Sequence, residues 1–127
     1  MITNFESITV ELTDDEKTLL EPLIKGFKCH SKVNPITEKK ITIAMNTFIR
    51  NQTDMKILFT GTRLRKFVNY IRVNSLIPLI ATNNGYFVSY EKSEIELAVK
   101  SLYERSASIN SAADGLSQYL TGECRQP

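Results

Sequence analysis

The side chains that could do chemistry in this sequence are cations, amides and hydroxyls gathered between residues 59 and 89. Arginine pairs bidentately with guanine or phosphate, asparagine pairs with adenine, and a helix N-terminus carrying threonine hydroxyls suits a phosphate. We therefore predict a nucleic-acid surface in this stretch. Its candidate residues are Thr60, Thr62, Arg63, Arg65, Lys66, Asn69, Asn83 and Asn84.

The charge distribution supports the same prediction. The net charge of the whole chain is only +2, but residues 56–92 hold six Lys or Arg and one Asp or Glu, a local balance of +5. Such concentrated positive charge is typical of a surface that neutralises phosphates and releases their counterions. A solvated helix face explains a short basic cluster equally well.

Catalytic and metal-binding residues are not predicted. Cys29 and His30 are adjacent, but a zinc site needs three or four ligands and thiolate catalysis needs a partnered base. The chain has a single His, its other thiol is the distant Cys124, and it has neither a phosphate-binding glycine loop nor an H-E-x-x-H motif. We therefore expect a protein that is not an enzyme and that holds no metal and no cofactor.

A helix from Thr60 to about Asn74 would position most of the cationic side chains. Thr60 and Thr62 are both candidate N-caps. The apolar residues recur at the i, i+3, i+4, i+7 spacing of one buried face, which leaves the cations on the other faces. These apolar residues are Leu64, Phe67, Val68 and Ile71.

A β-hairpin is predicted directly after this helix. Pro78 cannot continue a helix, and residues 79–81 and 86–88 flank an Asn-Asn-Gly sequence at 83–85. Asn-Gly between apolar runs is the strongest short hairpin signal. A basic helix that leads into a hairpin is the outline of a winged helix.

Two further helices are predicted before the basic one. Residues 8–12 alternate apolar and polar positions, as a short strand does. Thr13 begins a T-x-x-E capping box and therefore a helix, which Pro22 should bend or divide. Thr37 is the predicted cap of a second helix that runs to about Arg50. This second helix, a polar turn and the basic helix have the layout of a helix-turn-helix pair.

A final helix is predicted from Ser93, with a break at Asp114-Gly115. Its apolar residues recur every seven positions. Such a stripe packs more often on its own domain than on a partner, although the length leaves room for a homodimer. The repeating residues are Ile95, Leu102, Ile109 and Leu116, supported by Ala98, Val99, Ala112, Ala113 and Leu120.

Together these elements predict one α+β domain, a winged helix-turn-helix that is mostly helical, with a β-hairpin wing and a C-terminal helix. No apolar run is long enough to span a membrane and the N-terminus lacks signal-peptide features, so we expect a cytoplasmic protein without a membrane partner. The expected parts are a strand-like extension at 1–12, the winged-helix domain at 13–90, the C-terminal helix at 91–120, packed on the domain or in a dimer, and a tail at 121–127.

Four runs between residues 60 and 113 carry a likeness to a known family: LRKFVNYIR, IPLI, NNGYFVS and SEIELAVKSLYERSASI. They resemble the winged helix-turn-helix proteins of bacteriophages and integrated mobile elements. In that family an Arg-bearing helix precedes a short strand, a wing turn with Gly-Tyr, and a helix containing an Arg. The matching positions are Leu64, Arg65, Val68, Ile71, Arg72, Pro78, Ile80, Gly85, Tyr86, Leu102 and Arg105.

This resemblance implies a binding mode for double-stranded DNA. The helix at about 60–74 would be the recognition helix and residues 82–86 the wing. The biological role it implies is that of a regulator or a replication accessory of a phage or mobile element. The implied contacts come from Arg63, Arg65, Lys66 and Asn69 on the helix, and from Asn83 and Asn84 at the wing tip near phosphates or the minor groove.

Alternatives remain open for the whole protein and for single residues. The whole protein could be an interaction module that binds a host or partner protein without DNA. Arg65 and Arg72 could lie over the core edge through their alkyl stems, or pair with Asp54 or Glu91. Tyr86, directly after the wing glycine, is more often a packing residue than a base-stacking one.

Overall fold

The computed structural model describes residues 11–121. They form an α+β, mostly helical arrangement with one antiparallel two-stranded hairpin and a C-terminal helix. The chain divides into two units, with the boundary between Tyr90 and Glu91. The elements are α1 (Asp14–Lys28), α2 (Glu38–Gln52), α3 (Gly61–Val73), β1 (Leu79–Thr82), β2 (Gly85–Val88) and α4 (Lys92–Thr121).

Two sequence predictions concern the ends of the chain. The predicted strand at 8–12 lies outside the described residues except for Glu11 and Leu12, which belong to no strand. Leu12 is nevertheless buried in the core of the first unit. The predicted tail also lies outside the described residues, apart from the last residue of α4.

The starts of the first three helices are fixed by threonine caps. Thr13 closes the predicted capping box: its hydroxyl accepts from the Glu16 N–H at 3.2 Å, and the Glu16 carboxylate accepts from the Thr13 N–H at 2.9 Å. Thr37 and Thr60 cap α2 and α3 with their hydroxyls in the same way. Of the two candidates for α3, Thr60 is the cap, and Thr62 lies in the first helical turn.

Of the two effects predicted for Pro22, a bend or a division of the first helix, the division does not occur. Helix α1 runs unbroken from Asp14 to Lys28. A proline inside a helix costs about 3 kcal/mol, because it removes one hydrogen bond and crowds the preceding turn. Burial of Leu19, Leu23 and Phe27 offsets this cost, since each is fully buried and each such side chain contributes about 2 kcal/mol.

The side chain of Asn46 fixes the linker between α2 and α3. Its amide nitrogen donates to the Phe59 carbonyl at 3.0 Å, and its amide oxygen accepts from the Phe59 N–H at 2.7 Å. The Phe59 ring is buried and packs on Phe67 of α3, with ring centroids 5.4 Å apart. These contacts set where α3 begins relative to α2.

The predicted hairpin is present and pairs Leu79 with Val88 through to Thr82 with Gly85. A single residue from before α2 extends it: Ile36 exchanges two backbone hydrogen bonds with Tyr86, at 2.9 and 2.8 Å. Gly85 lies against this bridge, because a Cβ on it would come within 2.5 Å of the Ile36 carbonyl oxygen. Its φ of +130° also disfavours any other residue.

The core of the first unit is built from α1, α2, α3, the linker and the hairpin. Each helix contributes one apolar stripe, as its spacing predicts. The buried hydrophobic residues of this cluster are Leu12, Leu19, Leu23, Phe27, Ile41, Met45, Ile49, Phe59, Leu64, Phe67, Val68, Ile71, Ile77 and Leu79.

The second unit is the helix α4, which is continuous for 30 residues. The predicted break at Asp114-Gly115 is therefore wrong. From Leu102 to Leu120 the apolar side chains of α4 are exposed, so nothing among the described residues covers that part of the stripe.

The packing at Gly85 predicts the effect of adding one methyl group. Gly85→Ala should lower the free energy of unfolding by about 2–3 kcal/mol, because the new Cβ would strike the Ile36 backbone in a left-handed conformation. Urea denaturation measures the change. Gly26→Ala is the matched control: its Cβ would meet only the Ile41 side chain at 3.7 Å, so it should raise stability by about 0.5 kcal/mol. Equal effects of the two substitutions would contradict this account.

Candidate nucleic-acid interface

Helix α3 separates its side chains into a buried and an outer face. Leu64, Phe67, Val68 and Ile71 are buried, as their spacing predicts. The cap and the helix together hold six of the eight candidate residues, and 100° per residue brings positions 62, 66 and 69 to the side opposite the buried face and 65 and 72 to its flank. The two remaining candidates, Asn83 and Asn84, lie at the hairpin tip and are exposed.

Two of the predicted cations are bound to a buried carboxylate. Glu16 of α1 has only 2% of its side chain exposed. Its Oε2 accepts from Arg63 Nε at 2.8 Å, and its Oε1 accepts from Lys66 Nζ at 2.8 Å. The same Oε1 also accepts the capping bond from the Thr13 N–H. We call Glu16, Arg63 and Lys66 the Glu16 triad.

The Glu16 triad holds its carboxylate in the charged form. Burial by itself would raise the pKa of Glu16, but hydrogen bonds from Lys66, the Thr13 backbone and Arg63, with the positive charge of Lys66, outweigh burial and lower the pKa from 4.5 to about 2. A buried carboxylate without such partners would instead have taken up a proton. The ion pairs are therefore an internal part of the fold.

Arg63 and Lys66 are consequently less available than the sequence indicates. Their side chains are 33% and 16% exposed, and Arg63 Nη1 also donates to the Leu58 carbonyl at 2.7 Å, which closes the linker onto α3. The partner Glu16 was missed by the sequence analysis because it lies 47 and 50 residues away. The sequence assigned Glu16 only to the capping box. No neighbouring residue indicated that its carboxylate also binds two cations of α3.

Arg65 is the most accessible cation among the candidates, with 60% of its side chain exposed. Its guanidinium lies 3.4 Å from Glu38 of α2 and 3.4 Å from the Thr62 hydroxyl. Both contacts are long, and the ion pair is exposed, so it holds the side chain weakly. Arg65 can therefore exchange Glu38 for an external anion at small cost.

The hairpin tip lies beside the start of α2. A shallow cavity of about 210 Å³ separates them and is lined by Thr37 and Glu38 on one side and by Thr82, Asn83 and Gly85 on the other. Glu38 thus contacts Arg65 and also lines the hairpin cavity. Arg65 on the outer face of α3 is thus linked to the hairpin tip through Glu38, and we define the Arg65 surface by Thr62, Arg65, Asn69, Asn83 and Asn84.

The remaining candidate positions have roles inside the fold. The Thr60 hydroxyl accepts the capping bond of α3. Arg72 is half-buried and donates to the Leu79 carbonyl at 3.1 Å, so it ties α3 to β1. Tyr86 packs on Phe27, with ring centroids 5.6 Å apart, and burial raises the pKa of its hydroxyl. The prediction that Tyr86 is a packing residue is confirmed.

Cys29 and His30 have structural contacts. His30 Nδ1 lies 2.8 Å from the Asn34 carbonyl oxygen, and the His30 carbonyl accepts from the Val88 N–H at 3.1 Å. Between residues 11 and 121, no three His, Cys, Asp or Glu side chains come together in a way that could hold a metal ion. In the same range no helix combines the length and the apolar character needed to cross a bilayer.

Comparisons with known proteins add nothing to this description. No protein-family model, no curated protein and no solved structure matches the chain.

The Glu16 triad predicts a specific dependence of stability on pH. Because the folded pKa is lowered, the triad stabilises the fold fully above pH 4.5, and this stabilisation is lost as the pH falls from about 4.5 to about 2. The loss should reach about 3 kcal/mol. Glu16→Gln should remove this component from the pH profile and lower the free energy of unfolding at pH 7 by about 3 kcal/mol or more, because two cations lose their buried partner.

Urea denaturation between pH 2.5 and 7 measures both effects, and Glu38→Gln is the control. Glu38 pairs with Arg65 in the open, so its substitution should cost less than about 0.5 kcal/mol and leave the profile unchanged. If Glu16→Gln does not fold, Lys66→Met keeps one partner of the carboxylate and should move the acid transition to higher pH. A profile that is the same for the wild type and both triad variants would contradict the role of the triad.

Proposed function

We propose that this chain is a non-enzymatic protein that binds double-stranded DNA through a winged helix-turn-helix. Helix α3 is the recognition helix and the β1–β2 hairpin is the wing. The single observation that carries the proposal is the Arg65 surface, where an exposed Arg, Thr and two Asn side chains surround the start of α3 and the hairpin tip.

The order of elements supports the winged-helix assignment. A first helix is followed by a bridge residue, a second helix, a third helix and then the hairpin. The bridge residue Ile36 pairs with β2, so the segment between the first two helices joins the sheet. In such an arrangement the third helix enters the major groove of the DNA, and the hairpin tip would lie near phosphates or the minor groove.

The ion pairs divide the basic residues into two roles. Arg63 and Lys66 anchor α3 to α1 through Glu16, and Arg65 carries the contact with DNA. Glu16 and Glu38 bring two negative charges against these cations, which reduces the local balance of residues 56–92 from +5 to +3. A positive surface remains, and DNA phosphates compete with Glu38 for Arg65.

The biological role proposed is that of a regulator or replication accessory of a phage or mobile element. Its support is the resemblance of residues 60–113 to the winged helix-turn-helix proteins of such elements. The protein would act inside the cell, in the compartment that holds its DNA.

A second candidate function is an interaction module that binds a protein partner without DNA. The observation that favours it is an open groove of about 560 Å³ beside the α2–α3 linker. Ile49, Met55, Ile57 and Leu58 line this groove together with polar residues, and Leu58 is 66% exposed. The binding of two of the cations by Glu16 also favours this alternative.

Arg65→Ala tests the proposed DNA contact. Binding to random-sequence duplex should weaken, and the slope of log affinity against log salt should become shallower by about 0.9, the value of one phosphate contact. Fluorescence anisotropy across 50–300 mM salt gives both quantities. Arg50→Ala is the matched control, because Arg50 is also exposed but lies at the other end of α2 from Glu38, about 18 Å along the axis.

Two results would contradict the proposal. Wild-type protein that fails to bind duplex DNA at the lowest salt would favour the interaction module. Equal losses from Arg65→Ala and Arg50→Ala would show that binding is diffuse and does not use the Arg65 surface. Lys66 is left intact in these variants, because its removal would disturb the Glu16 triad.

The proposed wing gives an independent prediction. Asn83→Asp combined with Asn84→Asp places two negative charges at the exposed tip, and should weaken duplex binding about tenfold at 100 mM salt by repulsion from phosphates. Asn83→Ala with Asn84→Ala removes the same amides without adding charge and should cost much less. Unchanged affinity of the Asp variant would exclude the tip from the DNA interface, whatever Arg65 does.

A further inference from the structure

Helix α4 carries an apolar stripe, which nothing in the described chain covers from Leu102 to Leu120. Ile109, Leu116 and Leu120 are 68%, 70% and 88% exposed. Monomeric proteins seldom leave a contiguous apolar strip of this kind in water. The stripe follows a strict alternation of four and three residues, the spacing of a two-stranded coiled coil. Its members are Ile95, Val99, Leu102, Ser106, Ile109, Ala113, Leu116 and Leu120.

The composition of α4 indicates that this helix needs a partner. Seven of the twelve residues from 106 to 117 are Ser, Asn, Asp or Gly, which are poor helix formers. Helices draw most of their stability from packing of an amphipathic face. Even so, α4 continues without a break through Asp114 and Gly115. A packed stripe would supply the stabilisation that the local sequence lacks.

We propose that α4 pairs with α4 of a second copy of this chain, and that the two helices run antiparallel. The stripe is self-complementary in that orientation, because residue numbers that sum to 215 face each other. Ile95 then meets Leu120 of the second copy, and Val99 meets Leu116. A large side chain fills the space beside each small residue in the same way, as Ile109 does opposite Ser106.

Parallel pairing fits the same stripe less well. It would set Ser106 against Ser106 and Ala113 against Ala113, which leaves two poorly filled layers. It would also bring together the acidic N-terminal ends of the two helices, where Glu94 and Glu96 lie. In the antiparallel arrangement each small residue faces a large one, as Ala113 faces Leu102. The acidic ends of the two helices also lie apart.

The area involved is sufficient for a stable dimer. Six large apolar side chains on each copy would leave water, at about 100 Å² apiece, so the pair would bury about 1,200 Å². This is the lower end of the range for specific interfaces. The hydroxyl of Ser106 needs no partner across the interface, because a helical serine can donate to a carbonyl of its own preceding turn.

The full-length protein is the material for the test, and light scattering coupled to size exclusion gives its mass. The chain is 14.4 kDa, so a dimer has a mass of about 29 kDa. Ile109→Asp should raise the dissociation constant by about 100-fold or more, because each copy would bury an unpaired charge. Leu97→Asp is the matched control: Leu97 is equally exposed, at 68%, but lies on the opposite face of α4. It should leave the dimer intact.

Disulfide trapping tests the orientation. In a background with Cys29→Ser and Cys124→Ser, a Val99→Cys chain is mixed with a size-tagged Leu116→Cys chain and oxidised. Antiparallel pairing should give mainly mixed disulfides, since only residues that face each other come within bonding distance. Mainly homodimeric disulfides would overturn the orientation.

A monomer at all concentrations, or equal dissociation of the Ile109 and Leu97 variants, would overturn the dimer itself. If the protein is a monomer, the stripe would instead be a binding surface for a different protein. None of these measurements involves nucleic acid, so their outcome is separate from that of the proposed DNA binding.

Discussion

The arrangement of the first unit depends on one carboxylate taken out of water. Glu16 caps the start of α1 and at the same time holds two cations of α3, so a single side chain sets the relation between two helices. Removing a carboxylate from water is costly, and only full pairing makes it tolerable. All buried polar side-chain atoms in the described residues have partners. Arg63 carries the constraint onward by holding the linker that leads into α3.

This constraint changes how the basic segment is understood. A run of cations in a sequence indicates a surface for anions, yet two of the three cations at the start of α3 satisfy an anion within the same unit. The division follows from helix geometry, since Arg63 and Lys66 face α1 whereas Arg65 faces the start of α2 and the hairpin. Arg65 has the weaker internal partner, Glu38. It is therefore the cation that can exchange its partner for an external anion.

Local signals in the sequence predicted the elements well, because caps and turns depend on neighbours within three or four residues. Thr13, Thr37 and Thr60 begin their helices as expected, and the Asn-Gly sequence forms the hairpin. Two local signals for a break did not divide their helices: at Pro22 the burial of Leu19, Leu23 and Phe27 offsets the cost of the proline, whereas at Gly115 no packing within the described residues accounts for the unbroken helix. The ion pairs of Glu16 were beyond reach, because they join residues that only the folded chain brings together.

The small sheet also has a consequence for aggregation. An unpaired strand edge is a template on which other chains can add. In this hairpin the outer N–H groups of Tyr86 and Val88 are already taken, by the carbonyls of Ile36 and His30. Ile36 and the His30 carbonyl therefore occupy hydrogen-bonding groups along the outer edge of β2, which is only four residues long. The hairpin tip can project into solvent without inviting strand addition along β2.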